Sequence, residues 1–256
     1  MDVTNRFVLD YCRTFARRHP AAPILDYGCG AGDLVAAGLR DGLNISGADT
    51  YYGGSQTREQ AEASGLLGGA IREMQNGRLP FPDASFALVV NNQVMEHVDD
   101  LDATLAEIDR VLRPGGSVLS IFPSRDVFRE GHIGIPFTHW FRNDSRARFY
   151  FTWVLRAVGL GTWKEQAPNA RQWALDKLSW IDTYTRYRTR SEIFAAYARH
   201  FRSELREIDY IRYRLLDRPG RAWIASALRV RPAAWLACAI FRKLAFLVIV
   251  SRKEAR

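Results

Sequence analysis

The chain has 256 residues, 47% hydrophobic and 25% charged, which fits one globular domain with room for a sizeable core. A formal charge of +8 and a pI near 9.7 point to an anionic partner, such as nucleic acid, a membrane surface or a phosphorylated substrate, without choosing among them. Cys12, Cys29 and Cys238 form no CxxC pair and no His/Cys cluster at ligand spacing, so neither a disulfide framework nor a structural zinc is indicated and a reducing, cytoplasmic setting is expected.

In chain order, the first twenty residues carry charges throughout and lack the apolar core of a secretory signal. Phe7, Val8, Tyr11 and Phe15 share one face at helical spacing, predicting a helix over 4 to 18 capped by Thr4 or Asn5. "PILDYG" reads as a short buried strand, "GDLVAAGLR" as a helix ending near Gly42, and "NISGADT" as a second strand. A helical stretch follows around 56 to 66, then a strand at 86 to 91. "DLDATLAEIDRVLRPGG" is a helix stopped by Pro114 and its glycines, and "SVLSIFP" is a further strand. Strands alternating with helices of this length imply βαβ units, hence a parallel sheet covered on both faces, with ligands at the carboxyl ends of the strands. No run reaches the roughly 18 apolar residues of a membrane span.

"ILDYGCGAGDL" places glycines at 28, 30 and 32 between the first strand and a helix, where backbone groups can approach a flat or charged ligand with no Cβ in the way. A nucleotide-like cofactor is the natural candidate. The dinucleotide fingerprint G-x-G-x-x-G requires a third glycine at 33, where Asp33 stands instead, and Asp26 precedes the turn. Asp49, 21 residues beyond Gly28, ends the second strand, where a carboxylate can accept hydrogen bonds from both hydroxyls of a ribose.

With these residues in place, the chain resembles the class I S-adenosylmethionine (SAM)-dependent methyltransferases, and within them the small-molecule subfamily. "LDYGCGAG" matches the family's D-x-G-C-G-x-G turn, and "LPFPDASFALVVNNQVMEHVDD…LAEIDRVLRPGGSVLSIFP" matches its fourth strand, following helix and fifth strand. The resemblance covers roughly residues 20 to 123. It implies a Rossmann-like, seven-stranded, mostly parallel α/β sheet with helices on both faces, an antiparallel edge and SAM as cofactor. By the same resemblance Asp26, Gly28, Gly30 and Gly32 form the floor under the methionine end, with Tyr27 beside them. Asp49, followed by Thr50, holds the ribose, and Asn91, Asn92 and Gln93 line the far side. Relatives often carry an Asp for the adenine amino group where Gln75, followed by Asn76, stands here; an amide oxygen can accept the same hydrogen bond.

The sulfonium already activates the methyl group, so the protein has mainly to align the nucleophile, exclude water and, for an alcohol, remove a proton; no metal is needed for that. "REGHIGIPFTHWF" follows the fifth strand, and its His132 and His139 are the candidate general bases. The bland alternative is that both tie down a Gly/Pro-rich loop. His97, after Glu96, is a third candidate, although relatives use that pair mostly structurally.

Residues 124 to 200 are expected to be a helical insertion after the fifth strand, between a SAM-binding half (1–123) and C-terminal strands (201–256) within one domain. From 140 onward it clusters Trp140, Tyr150, Trp153, Trp163, Trp173, Trp180, Tyr184 and Tyr187, rings that suit stacking on a sugar or flat acceptor, or that simply fill a core. "ELREIDYIRYRL" and "AFLVIVSRK" are expected as the last two strands. The connection between them, with Trp223, Trp235, Leu236 and Ile240 among arginines, predicts a basic amphipathic helix; residues 181–256 hold 17 Lys/Arg against 7 Asp/Glu. It would dock on an anionic membrane face, on the sheet or in a dimer contact.

The expected function is methyl transfer to a small-molecule acceptor, a hydroxyl of a sugar, natural product or lipid-linked glycan. A nucleic-acid methyltransferase, suggested by the basic balance, is opposed by "NNQV" standing where an N-P-P-[FY] tetrapeptide would follow the fourth strand, and no nucleic-acid module is recognisable. A SAM-binding scaffold without turnover is the third alternative.

Overall fold

The computed structural model describes residues 1–52 and 56–254. Its seven strands are β1 (Ile24–Tyr27), β2 (Ile45–Asp49), β3 (Ile71–Glu73), β4 (Phe86–Asn92), β5 (Leu112–Phe122), β6 (Arg202–Leu205) and β7 (Leu247–Arg252). They form one sheet in the order β3-β2-β1-β4-β5-β7-β6, in which β7 runs antiparallel to both its neighbours and every other pairing is parallel. This is the expected mostly parallel sheet. The strand order reverses between β1 and β4, which opens a crevice at their carboxyl ends.

The helices of the first half are α1 (Val3–Arg18), α2 (Asp33–Arg40), α3 (Thr57–Ala63) and α4 (Leu101–Val111). Asp2, rather than Thr4 or Asn5, caps α1, its carboxylate accepting the N–H groups of both at 2.8 Å. Helix α4 stops at Val111, and regular pairing of β5 resumes at Ser117 after a register shift. Strand β3 carries no sequence signal, since it has three residues and two of them are Arg72 and Glu73.

Alternate residues of the central strands feed two cores, as period-2 side chains must in a sheet covered on both faces. Leu25, Val89 and Val118 join Leu105 and Ile108 of α4 on one face, and Ile24, Leu88 and Leu119 join Val8 and Cys12 of α1 on the other.

After β5 come α5 (Arg146–Ala157), α6 (Ala170–Tyr184) and α7 (Arg190–His200). Helices α5 and α6 pair around a small core of their own, with Ile133, Trp173 and Ile181. The buried Arg148 ties them together by donating to Asp182 at 2.6 Å. Helix α7 instead sends Ile193, Ala196 and Tyr197 into the main core beside α4.

The segment expected as a strand at 204 to 215 is corrected: only Arg202–Leu205 extends, and α8 (Glu207–Leu216) follows. Tyr210 and Tyr213, three apart, both meet Phe7 of α1, at 5.2 and 5.3 Å between ring centroids, which a strand would not allow. Then come α9 (Ala222–Ala227) and α10 (Arg231–Leu244), the latter started by Pro232 in its first turn.

Candidate active site

The turn from β1 into α2 runs with positive φ at Gly28 (74°), Gly30 (53°) and Gly32 (86°). A Cβ on Gly28 would fall 2.5 Å from Cγ2 of Val94, and one on Gly32 2.4 Å from Cδ1 of Ile71, whereas on Gly30 nothing lies nearer than 3.9 Å. Two of the three glycines are therefore demanded by packing against the protein itself, and Gly30 leaves the open approach. Asp49, at the end of β2, accepts the Gly30 N–H at 2.8 Å and the Tyr51 N–H at 2.9 Å, while the Tyr51 hydroxyl donates to the Gly30 carbonyl at 3.1 Å. A carboxylate has about four acceptor sites, so Asp49 retains capacity for a diol.

This turn borders a cavity of about 1020 Å³. Of the predicted cofactor residues, Tyr27, Gly28, Gly30, Asp49, Thr50, Asn76 and Gln93 line it. Gln93 is turned in by a left-handed backbone (φ 57°) as it leaves β4. Asp26, Gly32, Gln75, Asn91 and Asn92 lie elsewhere. Gln75 is exposed and bridges to Arg78, leaving Asn76 as the amide at the cavity wall. Asn91 is wholly buried and donates to the Ser120 hydroxyl at 2.9 Å, and Asn92 donates to Asn5 of α1 at 2.9 Å. Asp26 sits buried under the turn, where burial, and then the charge of Asp49, push its carboxyl up to about 7. Tyr51, Tyr52, Val94, His97 and the first turn of α4 also line the cavity. Most of these follow directly on β2 and β4, so their position at strand ends was the available signal.

The candidate bases part company. Neither is among the residues that line the cavity: His139 is buried, with Nε2 against the Val127 carbonyl at 3.0 Å, whereas His132 lies behind His97. His132 keeps a quarter of its side chain exposed beside a wholly buried Glu130, whose Oε1 accepts its Nδ1 proton at 2.7 Å. Glu130 is fixed in turn by the Tyr187 hydroxyl and by the Ile133 N–H at 2.6 Å. Burial alone would push the His132 imidazole down, but the hydrogen bond and charge of Glu130, with the charge of Glu96, outweigh it and hold the ring above the usual histidine value. Sequence reasoning missed Glu130, two residues before His132.

His132 packs edge-on against His97, 5.1 Å between centroids, and His97 is a wall of the cavity. Nδ1 of His97 is engaged by the Tyr184 carbonyl at 2.7 Å, and burial lowers its pKa, so it rests neutral. Trp180 stands 5.1 Å from His132, and Tyr52 and Tyr184 complete an aromatic rim. Of the other aromatic residues of the expected cap, Trp173 is core and Trp163 is exposed. Glu96, buried with neither oxygen bonded among the described residues, is pushed up to about 7 by burial. Its carboxylate and the rings of His97 and His132 bring one ligand atom each within 4.8 Å of one another.

The family described as "Methyltransferase domain" matches residues 25–120. A probable S-adenosylmethionine-dependent methyltransferase from Mycolicibacterium smegmatis is 37% identical over 119 residues, 45% of this chain and 44% of that protein. A demethylmenaquinone methyltransferase from Symbiobacterium thermophilum is 33% identical over 126 residues, 47% of this chain and 50% of that protein. The chain thus spans about half the length of the relatives it matches. Among solved structures, an S-adenosylmethionine-dependent methyltransferase from Mesorhizobium loti superposes with a TM-score of 0.53 at 20% identity over 91% of both chains, which shows the shared fold. The glycine turn, Asp49 and the two strands at the reversal of order, β1 and β4, fall almost wholly within the stretch that matches the methyltransferase domain family.

Proposed function

We propose that the protein transfers a methyl group from SAM to a hydroxyl of a small acceptor, a sugar, natural product or lipid-linked glycan, with His132 as general base. The observation that carries this reading is the Glu130–His132 pair packed behind His97, in the wall of a cavity that Asp49 also lines. The relative named for demethylmenaquinone supports a small-molecule acceptor.

The residues present fit the cofactor. Asp49 has acceptor capacity for the ribose, the open face of Gly30 admits close approach, and the buried Asp26 favours a cation nearby. When bound, SAM supplies an electrophilic methyl group on a positively charged sulfur. The chain's own part is positioning and proton removal. Glu130 holds the His132 Nδ1 proton, which fixes the tautomer that leaves Nε2 free to accept. Nε2 would take the proton that an acceptor hydroxyl gives up as it is methylated. Trp180, Tyr184 and Tyr52 offer ring faces that hold the acceptor and keep water away.

The test is incubation with methyl-labelled SAM and fractionated extract of the source cell, with wild type and His132→Ala run in parallel. Label entering a small hydroxylated compound with wild type alone supports the proposal. Label entering nucleic acid, or equal rates in both proteins, defeats it.

A further inference from the structure

Seven of the large apolar side chains left exposed belong to one segment, residues 216–244, and none of them serves the site described above. Leu216, Trp223, Val230, Trp235, Leu236, Ile240 and Leu244 are each 50 to 72% exposed. On α10 the part-buried Ala234, Cys238 and Phe241 turn toward the body, and Phe241 packs on Tyr210 and Phe246. The opposite half of the helix carries Trp235 and the i, i+4, i+8 row Leu236, Ile240, Leu244. No residue of α10 is fully buried. An apolar face of this size on a helix already seated against the body needs an occupant.

The charges around it choose one. From Arg218 to Leu244 there are six basic residues and no acidic one. Arg218, Arg221, Arg229 and Arg231 are in no ion pair among the described residues. A second copy docked face to face would bring its six cations against these six, whereas an anionic lipid surface complements both the charge and the apolar row. Tryptophan, leucine and isoleucine on the exposed half, with arginine and lysine interleaved, is the composition of a helix lying in the plane of a bilayer interface. No helix among the described residues is long and apolar enough to cross one.

The face also continues toward the site. Phe128 donates its N–H to the Lys243 carbonyl at 2.7 Å, and its ring lies under the Lys243 ammonium at 5.9 Å. Phe128 packs with the part-exposed Phe137 and Trp140, and this loop carries Glu130 and His132.

We infer that the α9–α10 face, extended by Phe128, Phe137 and Trp140, binds the surface of a membrane containing anionic lipid. Binding is independent of turnover and is measured without cofactor or acceptor, so its failure leaves the methyltransferase reading untouched. The probe is flotation with vesicles of phosphatidylcholine and phosphatidylglycerol in equal parts, against phosphatidylcholine alone, at low and high salt. The expected result is binding to the mixed vesicles only, weakened at least about tenfold by salt and by Trp235→Glu with Ile240→Glu. Both substituted side chains already face water, and an unchanged circular dichroism spectrum verifies the fold. Arg229→Glu with Arg231→Glu, which leaves the apolar row intact, is expected to weaken binding as well. No flotation with the mixed vesicles at low salt would overturn the inference, as would binding indifferent to both double variants. A dimer in solution that Trp235→Glu with Ile240→Glu dissolves would assign the face to a second copy instead.

Discussion

Glu130 grips the Nδ1 of His132 at 2.7 Å from a position wholly out of solvent. A carboxylate so placed orients the ring and favours its protonated form, which makes the histidine a stronger base. His132→Ala is expected to lower kcat by about 10² to 10⁴ while leaving the SAM dissociation constant unchanged. The pH dependence carries the sign of the pair. Since the His132 pKa is held above the usual histidine value and a base acts when neutral, turnover rises with pH through a limb above that value. Glu130→Gln moves the limb to lower pH. Stability runs the other way: the pair's contribution is complete below the usual histidine value and lost as pH rises through the raised one. Rate profiles and thermal melts from pH 5 to 9 check both.

Asp26, buried under the turn, is expected to make cofactor binding depend on pH. Its carboxyl, pushed up to about 7 by burial and by the charge of Asp49, titrates well above the usual carboxylate range. For the empty protein, a raised carboxyl pKa means stability complete below the ordinary value and lost as pH rises through about 7. A cation bound nearby offsets that loss. Affinity for SAM is therefore expected to rise about tenfold from pH 6 to pH 8, following the ionised fraction. Asp26→Asn flattens the trend. Calorimetric titration at three pH values measures it.

Gly28 and Gly30 separate packing from binding. Gly28→Ala meets Val94 as well as the left-handed backbone penalty, and costs about 3 kcal/mol of stability. Gly30→Ala meets only Cγ2 of Thr57, at an unstrained 3.9 Å, costs about 1 kcal/mol, and instead places a methyl group at the cavity wall. Thermal melts should single out Gly28→Ala, and SAM titration should find Gly30→Ala weakened in a protein that still folds.

Glu96, His97 and His132 lie near enough to one another to hold a divalent cation. With His132 as base, turnover persists after exhaustive chelation. Turnover lost on chelation and restored by magnesium or manganese would give these three side chains to a cation and take the base role from His132.

Much of this was legible in the sequence, and the failures have local causes. The glycine turn, Asp49 and β4 through β5 combine short, nearly continuous apolar runs with turn chemistry that few other structures require. Strand β3 is too short and charged to register. The α8 segment alternates isoleucine, tyrosine and arginine in a way that reads as strand until Tyr210 and Tyr213 are seen to share Phe7. Asn91 and Asn92 stand in the matched motif, yet the pleat sends one into the core and the other toward α1, and only Gln93, after the left-handed turn, reaches the cavity. His132 and His139 looked equivalent in one loop. Tertiary packing put one beside His97 and buried the other against a backbone carbonyl.

The most direct measurement of the central claim is calorimetric titration of wild type and Asp49→Asn with S-adenosylhomocysteine. The prediction is a clear one-site isotherm for wild type, weakened about 100-fold in the variant by loss of charge-assisted hydrogen bonds to the ribose. No heat with either this ligand or SAM, alongside a clear isotherm with NADH or a plain nucleotide, would contradict it.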